Sequence, residues 1–288
     1  MFMRYLAPPT DENAQPFKAG DVFETCVSMV KNTLLRAKLR GVRPDVETAA
    51  LDYDAKATSS QLFQTPSHDA VGGVSGDEMV QVYTGRMVPK TSTGRSIYNR
   101  IMSLPVNQRC PLCGIGTVNT LDHYLPKTHF PVFSVTPNNL VPACTWCQGA
   151  KLEYYPETKG GQILHPYFDN YDGEEWLVAE VAKCSPAAFR FYSSPPNNWS
   201  DADKARVATH LKELNLPVLF SSNAGSRLSE IRSRLTNLLR QGGESAVRAH
   251  LQEELASVEA EHKNSWVAAM YRAAVQSEWF CKGGFVAE

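Results

Sequence analysis

The 288-residue sequence has no uninterrupted apolar run of about 18 residues, which a membrane-spanning helix requires. Its first stretch, 1–18, also lacks the apolar core of a secretory signal. We therefore expect a cytoplasmic protein that contacts no membrane and keeps its thiols reduced. The chain has no strong excess of one charge either, because 29 Lys and Arg residues oppose 30 Asp and Glu residues. It thus lacks the overall basic charge typical of many nucleic-acid-binding proteins.

Acidic residues are missing from one internal segment, between Met79 and Leu121. The same segment contains five basic residues, namely Arg86, Lys90, Arg95, Arg100 and Arg109. A stretch with one sign of charge suits contact with phosphate groups. It equally suits a solvated face whose charges are balanced by acidic residues elsewhere in the fold. The sequence leaves both interpretations open.

Hydrophobic patterning predicts an α+β protein with three regions. The regions are 1–104, which is mostly helical with a loop near 55–76, 105–170, which is compact and rich in turns, and 171–288, which has short strands followed by helices. In the first region, a helix is predicted from Asp21 to Gly41, with Leu34 on its apolar face. In the third, Ser200 is the predicted cap of a helix.

Cysteine is the most informative residue type in this chain. Four of the seven cysteines form two CxxC pairs, Cys110 with Cys113 and Cys144 with Cys147. Each CxxC turn can direct two thiolates at one ion, and two such knuckles complete a tetrahedral zinc site. Since four thiolates leave no open coordination position, the predicted zinc is structural. The alternative is a set of four buried, reduced thiols. If zinc binds, its loss is expected to unfold the segment.

Between the two knuckles lie residue types that phosphodiester hydrolysis uses. His123 follows Asp122 directly, Asn139 precedes the second knuckle, and Lys151 follows it. A neutral histidine can take a proton from water at neutral pH, and a carboxylate is a preferred ligand of Mg²⁺. An amide can hold the histidine in its orientation. Because neighbouring side chains on a strand face opposite sides, Asp122 and His123 are predicted to have separate tasks.

The run CPLC…LDHYLPK…NNLVPAC…C…K resembles the HNH, or ββα-metal, nuclease family in its four-cysteine form. The resemblance implies a ββα-metal core flanked by N-terminal helices and a C-terminal helical region, and an endonuclease that cleaves DNA with Mg²⁺ or Mn²⁺. It implies that Asp122 binds the metal ion, His123 is the general base, Asn139 orients the histidine loop and Lys151 faces the phosphate. It further implies that Cys110, Cys113, Cys144 and Cys147 bind the structural Zn²⁺.

One position departs from the family pattern. After the second knuckle the family has Asn or His as a second ligand of the catalytic metal, whereas this chain has Gln148. The amide oxygen of Gln148 is still a suitable ligand for a hard cation. His165, in the segment HPYFD, is a candidate substitute, and its alternative interpretation is a packing residue.

The phrases DHYLPK, FPVFSVTPNNLVPAC and HPYFD are also similar to the HNH subunits of Septu-type and retron-type antiphage systems. That narrower resemblance implies a role in antiphage defence and a partner that is an ABC- or SMC-like ATPase, with the helical regions as docking surfaces. Two alternatives remain open at this point. One is a non-catalytic zinc module that binds nucleic acid or protein, and the other is an assembly subunit with a degenerate nuclease core.

Overall fold

The computed structural model describes residues 5–286, which form two compact units. The N-terminal unit comprises 5–169 and the C-terminal unit comprises 170–286. The division predicted between residues 104 and 105 falls inside the N-terminal unit, because the early helices and the cysteine-rich segment share one hydrophobic core. The ends of the predicted terminal regions, 1–4 and 287–288, lie outside the described residues.

Helices and short strands alternate in the N-terminal unit. They are α1 (Ala19–Val27), α2 (Thr33–Gly41), α3 (Arg43–Thr58), β1 (Ala70–Val71), β2 (Val74–Ser75), α4 (Gly76–Arg86), α5 (Arg95–Met102), β3 (Thr120–His123), β4 (Leu140–Ala143) and α6 (Thr145–Lys151). Short 3-10 turns connect several of them, including Pro131–Phe133 and Pro137–Asn139.

The single helix predicted from Asp21 to Gly41 is wrong. The chain forms α1, leaves helical geometry, and starts again at α2, where the Asn32 side chain accepts a hydrogen bond from Leu35 N–H at 3.0 Å. This cap satisfies an N–H group that a continuous helix would have bonded internally. Restarting the helix also changes its phase, so that Leu34 is 78% exposed rather than buried.

The predicted loop near 55–76 is more regular than its Ser- and Gly-rich composition indicates. Helix α3 continues to Thr58, and β1 and β2 form a small hairpin around Gly72, whose φ is +54°. Ser75 then caps α4, because its Oγ accepts a hydrogen bond from Glu78 N–H, and Ser75 N–H donates in return to the Glu78 carboxylate, which completes a capping box. The composition was misleading because the same residue types that favour loops also form tight turns and caps.

Strands β3 and β4 position the segment between the cysteine pairs. They are antiparallel, with Asp122 opposite Val141 and His123 opposite Leu140, and α6 follows β4 almost at once. Leu121 and Leu140 pack into the core that is formed by α1 to α5. This burial fixes the face of β3 on which Leu121 lies, and therefore also the direction of its neighbours.

The C-terminal unit consists of one hairpin packed on helices. Its elements are β5 (Leu177–Ala182), β6 (Ala188–Ser193), α7 (Asp201–Glu213), α8 (Leu216–Glu261), α9 (Trp266–Gln276) and a π-helical turn (Phe280–Gly284). The β5–β6 hairpin packs against α8 and α9. Ser200 caps α7 as predicted, by accepting a hydrogen bond from Asp203 N–H at 3.1 Å.

Together these elements confirm the predicted α+β class. Helix α8 is long enough to cross a bilayer but too polar. Across residues 5–286, no helix combines the required length with the required apolar character.

Candidate functional site

The two CxxC pairs converge on one point, as the sequence predicts. The four Sγ atoms of Cys110, Cys113, Cys144 and Cys147 all lie within 4.8 Å of one another, and every one of these cysteines is buried. The Sγ atoms of Cys113 and Cys144 are 3.7 Å apart. A tetrahedral zinc ion with Zn–S bonds of about 2.3 Å separates its ligands by about 3.8 Å. The cluster therefore has the size and the donor set of a zinc site.

The first knuckle is arranged as a tight turn around Cys113. The N–H groups of Ile115 and Gly116 each point at Cys113 Sγ from 3.4 Å, and Gly114 has a φ of +71°. Hydrogen bonds from two backbone N–H groups stabilise negative charge on sulfur. The turn therefore favours a thiolate at Cys113, which is the form that binds metal.

Gly116 is a site residue that the sequence analysis missed. A Cβ atom at this position would lie 2.5 Å from Cys144 Sγ, which is a steric overlap. Only glycine allows the backbone of the first knuckle to come this close to the second knuckle. The signal in the sequence was its place three residues after Cys113, within the turn that follows a CxxC pair.

The ionisation of the four cysteine thiols also indicates that a cation binds between them. Hydrogen bonds from Cys110, Cys113 and Cys147 lower the pKa of the Cys144 thiol, whereas burial raises the pKa of the Cys110 thiol. Four buried sulfur atoms cannot all ionise at this separation without a positive charge between them. A divalent cation supplies that charge and allows four thiolates.

Helix α6 connects the cysteine cluster to the Asp-His pair. Cys144 directly precedes the helix, Cys147 lies in its first turn, and Lys151 is its last residue. The Lys151 ammonium is buried, donates a hydrogen bond to the carbonyl oxygen of His123 at 2.7 Å, and lies 3.2 Å from Asp122 Oδ2. Lys151 therefore faces inward, toward β3, rather than outward toward a substrate.

Burial controls the ionisation of this pair. It raises the pKa of the Asp122 carboxyl, although Lys151 and Lys127 act in the opposite direction. It also lowers the pKa of Lys151, against the attraction of Asp122. Each charge is therefore stable in this environment only while its partner is present.

His123 is held as a neutral base. Its Nε2 lies 2.8 Å from the carbonyl oxygen of Ser134. Because a carbonyl oxygen only accepts hydrogen bonds, Nε2 carries the proton and Nδ1 carries the lone pair. Burial lowers the pKa of His123 from 6.5 to about 3. The imidazole is therefore uncharged at neutral pH.

Stability is expected to depend on pH through His123. The folded chain binds a proton at this residue only near pH 3, whereas the unfolded chain binds one near 6.5. The contribution of neutral His123 to the free energy of unfolding is complete above about pH 6.5. It is lost by up to about 1.4 kcal/mol per pH unit as the pH falls toward 3. We expect the free energy of unfolding, measured in urea, to be lower at about pH 5.5 than at about pH 7.5 in the wild type. In His123→Gln we expect a smaller difference between the two pH values. Equal pH dependence in both proteins would contradict the assignment.

Asn139 holds the loop that follows His123. Its Oδ1 accepts a hydrogen bond from Leu125 N–H at 2.8 Å, and its Nδ2 donates to the carbonyl oxygens of Leu125 at 3.0 Å and Phe133 at 3.3 Å. The side chain is fully buried. This amide therefore joins the backbone at Leu125 to the backbone at Phe133 within the segment between the two cysteine pairs.

The two residues considered as additional metal ligands have different surroundings. Gln148 is exposed on α6. His165 is buried, with Nδ1 accepting a hydrogen bond from Tyr167 N–H at 3.2 Å and Nε2 lying 2.9 Å from Tyr53 Oη. Both nitrogens of His165 are engaged, as in a packing residue.

The catalytic Mg²⁺ or Mn²⁺ that the HNH resemblance implies does not fit the residues in this arrangement. The Asp122 carboxylate is buried, and it bonds to Lys151 and to the backbone N–H of His123. Within residues 5–286, the four cysteines are the only cluster of three or more potential ligands of the His, Cys, Asp or Glu type. A hard cation needs oxygen ligands that are free to approach it.

Most of the basic stretch between Met79 and Leu121 has a structural task. Arg95 donates to the carbonyl oxygen of Val88, Arg100 to that of Thr10, and Arg109 to that of Ile115. These guanidinium groups stabilise turns and chain ends. Three of the five basic side chains are therefore engaged in contacts within the protein.

Tyr83 and Lys127 also belong to this site, and the sequence analysis missed both. The Tyr83 ring packs edge-on against the His123 ring, with 4.5 Å between centroids, and its hydroxyl donates to the Leu121 carbonyl at 2.9 Å. The Lys127 ammonium lies 6.0 Å from the Tyr83 ring centroid. Tyr83 comes from α4, which is distant in sequence, so no local pattern indicated it.

Comparison with known proteins places the chain in a family. Protein Ea31 of Escherichia phage lambda is 32% identical to it over 254 residues, which cover 80% of this chain and 85% of Ea31. The chain belongs to the Ea31 family. No family model and no solved structure match it. Because the name Ea31 states no activity, membership of the Ea31 family does not by itself assign a function.

Proposed function

We propose that the N-terminal unit is a zinc-stabilised HNH-type endonuclease that hydrolyses phosphodiester bonds in DNA. The observation that carries the proposal is His123, a neutral histidine with one fixed tautomer, beside the Asp122–Lys151 pair and between two cysteine knuckles. The order of two antiparallel strands followed by a short helix supports it, because the HNH resemblance implies the same order.

The chemistry assigned to the chain follows from these contacts. Nδ1 of His123 takes a proton from water, and the water oxygen attacks phosphorus. The bond from phosphorus to the 3′ oxygen breaks, and this oxygen receives a proton from solvent, which leaves 5′-phosphate and 3′-hydroxyl ends. Ser134 and Tyr83 keep the imidazole in place, while Asn139 fixes the loop that contacts it.

Nicking of supercoiled plasmid DNA tests this proposal. The zinc-loaded protein is incubated with Mg²⁺, with Mn²⁺ and with a chelator, and retained zinc is measured in each sample. We expect His123→Ala to nick at least about 100-fold more slowly than the wild type, since general-base catalysis contributes factors of this size. His129→Ala is the matched control, because His129 also lies between the two cysteine pairs and is only half-buried. Equal nicking by wild type and His123→Ala would contradict the proposal.

A second candidate function is a non-catalytic zinc module that binds nucleic acid or protein. The inward orientation of Lys151 and the burial of Asp122 favour it, because both groups are occupied within the protein. The same assay separates the candidates, since a binding module nicks DNA in none of the samples. The defence role and the ATPase partner are supported only by the motif resemblance and remain part of the proposal.

A further inference from the structure

The two lysines near Asp122 differ in what they contact. Lys151 is 3% exposed and its ammonium bonds to Asp122 and to the His123 carbonyl. Lys127 is half-buried, and within residues 5–286 no ion pair involves it. Lys127 therefore reaches solvent, whereas Lys151 is enclosed by the protein.

Lys127 lies beside the proposed general base. Its ammonium is 6.0 Å from the ring centroid of Tyr83, and that ring packs on His123. The charge of Lys127 acts on both Asp122 and His123. It follows His123 by four residues, in the loop that Asn139 holds through Leu125. The same hydrogen bonds that orient the histidine loop therefore also place Lys127.

The charges of the site do not cancel. Asp122 and Lys151 neutralise each other, and His123 is uncharged at neutral pH. Lys127 adds one positive charge beside a neutral base. A positive charge at a partly solvated position attracts an anion, and a phosphodiester carries one negative charge per phosphate.

We infer that Lys127, rather than Lys151, is the residue that contacts the phosphate of a bound DNA strand. This inference rests on the proposed function, because it assigns the phosphate contact of that same site. Lys151 instead positions Asp122 and the end of β3 from the inside. The HNH resemblance had assigned the phosphate contact to Lys151, and the burial of its ammonium opposes that assignment.

The salt dependence of DNA binding tests the inference. Binding of a fluorescently labelled duplex to the full, zinc-loaded chain is measured by anisotropy at several salt concentrations, without added divalent cation. Each lost phosphate contact reduces the slope of log Kd against log salt by about 0.9. We expect this reduction, with several-fold weaker binding, for Lys127→Ala and for Lys127→Gln. We expect Lys127→Arg to keep the slope of the wild type.

A control variant separates a local phosphate contact from a general loss of positive charge. Lys159→Ala removes an exposed lysine of the same unit and is not expected to change the slope. An unchanged slope in Lys127→Ala, with DNA binding and nicking retained, would overturn the inference and leave the proposed function intact. A Lys127-dependent slope without nicking would support the inference and oppose the nuclease. Absence of DNA binding by the wild type would overturn both.

Discussion

Replacing Cys147 with serine is expected to abolish zinc binding and the cooperative unfolding transition of the N-terminal unit. The side chain is fully buried in α6 and shares one cluster with three other thiols. Structural zinc sites contribute about 10–16 kcal/mol of apparent binding free energy in zinc-finger peptides. That is as large as the whole stability of a typical domain, which is about 5–15 kcal/mol. If the loss of one ligand abolishes zinc binding, it therefore removes about as much free energy as the whole stability of such a unit.

Metal analysis and thermal unfolding check this prediction. The wild type is expected to contain one zinc ion per chain and Cys147→Ser close to none. Cys26→Ala is the matched control, because Cys26 is equally buried but lies in the helical core, away from the cluster. It is expected to keep the zinc and to lose only about 1 kcal/mol of stability. Absence of zinc from the wild type, together with an unchanged unfolding midpoint in Cys147→Ser, would show that the cluster is a set of reduced thiols.

Asn139→Ala is expected to destabilise the N-terminal unit by about 3 kcal/mol or more. The substitution leaves the N–H and carbonyl groups of Leu125 without the partner that the amide provides, while the Phe133 carbonyl keeps only its hydrogen bond from Thr136 N–H at 3.2 Å. An unsatisfied buried polar group costs about 1–3 kcal/mol. Because these groups belong to Leu125 and Phe133, the loop after His123 is expected to lose its fixed position. Nicking of DNA should therefore fall together with stability.

Urea unfolding of Asn139→Ala beside Asn138→Ala checks this expectation. Asn138 is the neighbouring residue, and it donates one side-chain hydrogen bond to Asp54 at 2.7 Å, in a half-buried place. We expect Asn138→Ala to cost about 1 kcal/mol and to leave nicking nearly unchanged. Similar losses of stability in the two variants would mean that the three hydrogen bonds of Asn139 are not a separate source of stability.

Local sequence patterns were reliable where the structure depends on nearby residues. The convergence of the cysteine pairs, the cap at Ser200 and the α+β class follow from spacing and periodicity, and the structure agrees with them. Patterns failed where two local signals compete. The apolar stripe through Leu34 indicated one helix, whereas the cap formed by Asn32 ended that continuity.

The candidate site shows the same limit of local sequence patterns. Spacing to the knuckles singled out Asp122, His123, Asn139 and Lys151, yet the direction of each side chain depends on how α6 and α4 pack against β3. Tyr83 reaches His123 from α4, and Gly116 is required by the approach of one knuckle to the other. Such contacts join residues that are distant in the chain, so they leave no periodic signal in it.

The sequence by itself determined the α+β class and the four cysteines that meet, and it also indicated the residue types beside them. CxxC turns and amphipathic patterns act over a few residues, and their geometry is already contained in the spacing. Only the tertiary structure decided which lysine is enclosed and which reaches solvent. The packing of α6 on β3 buries the Lys151 ammonium against Asp122, and a buried charge is stable only with its partner. Lys127 is half-buried, and no carboxylate of the described residues forms an ion pair with it.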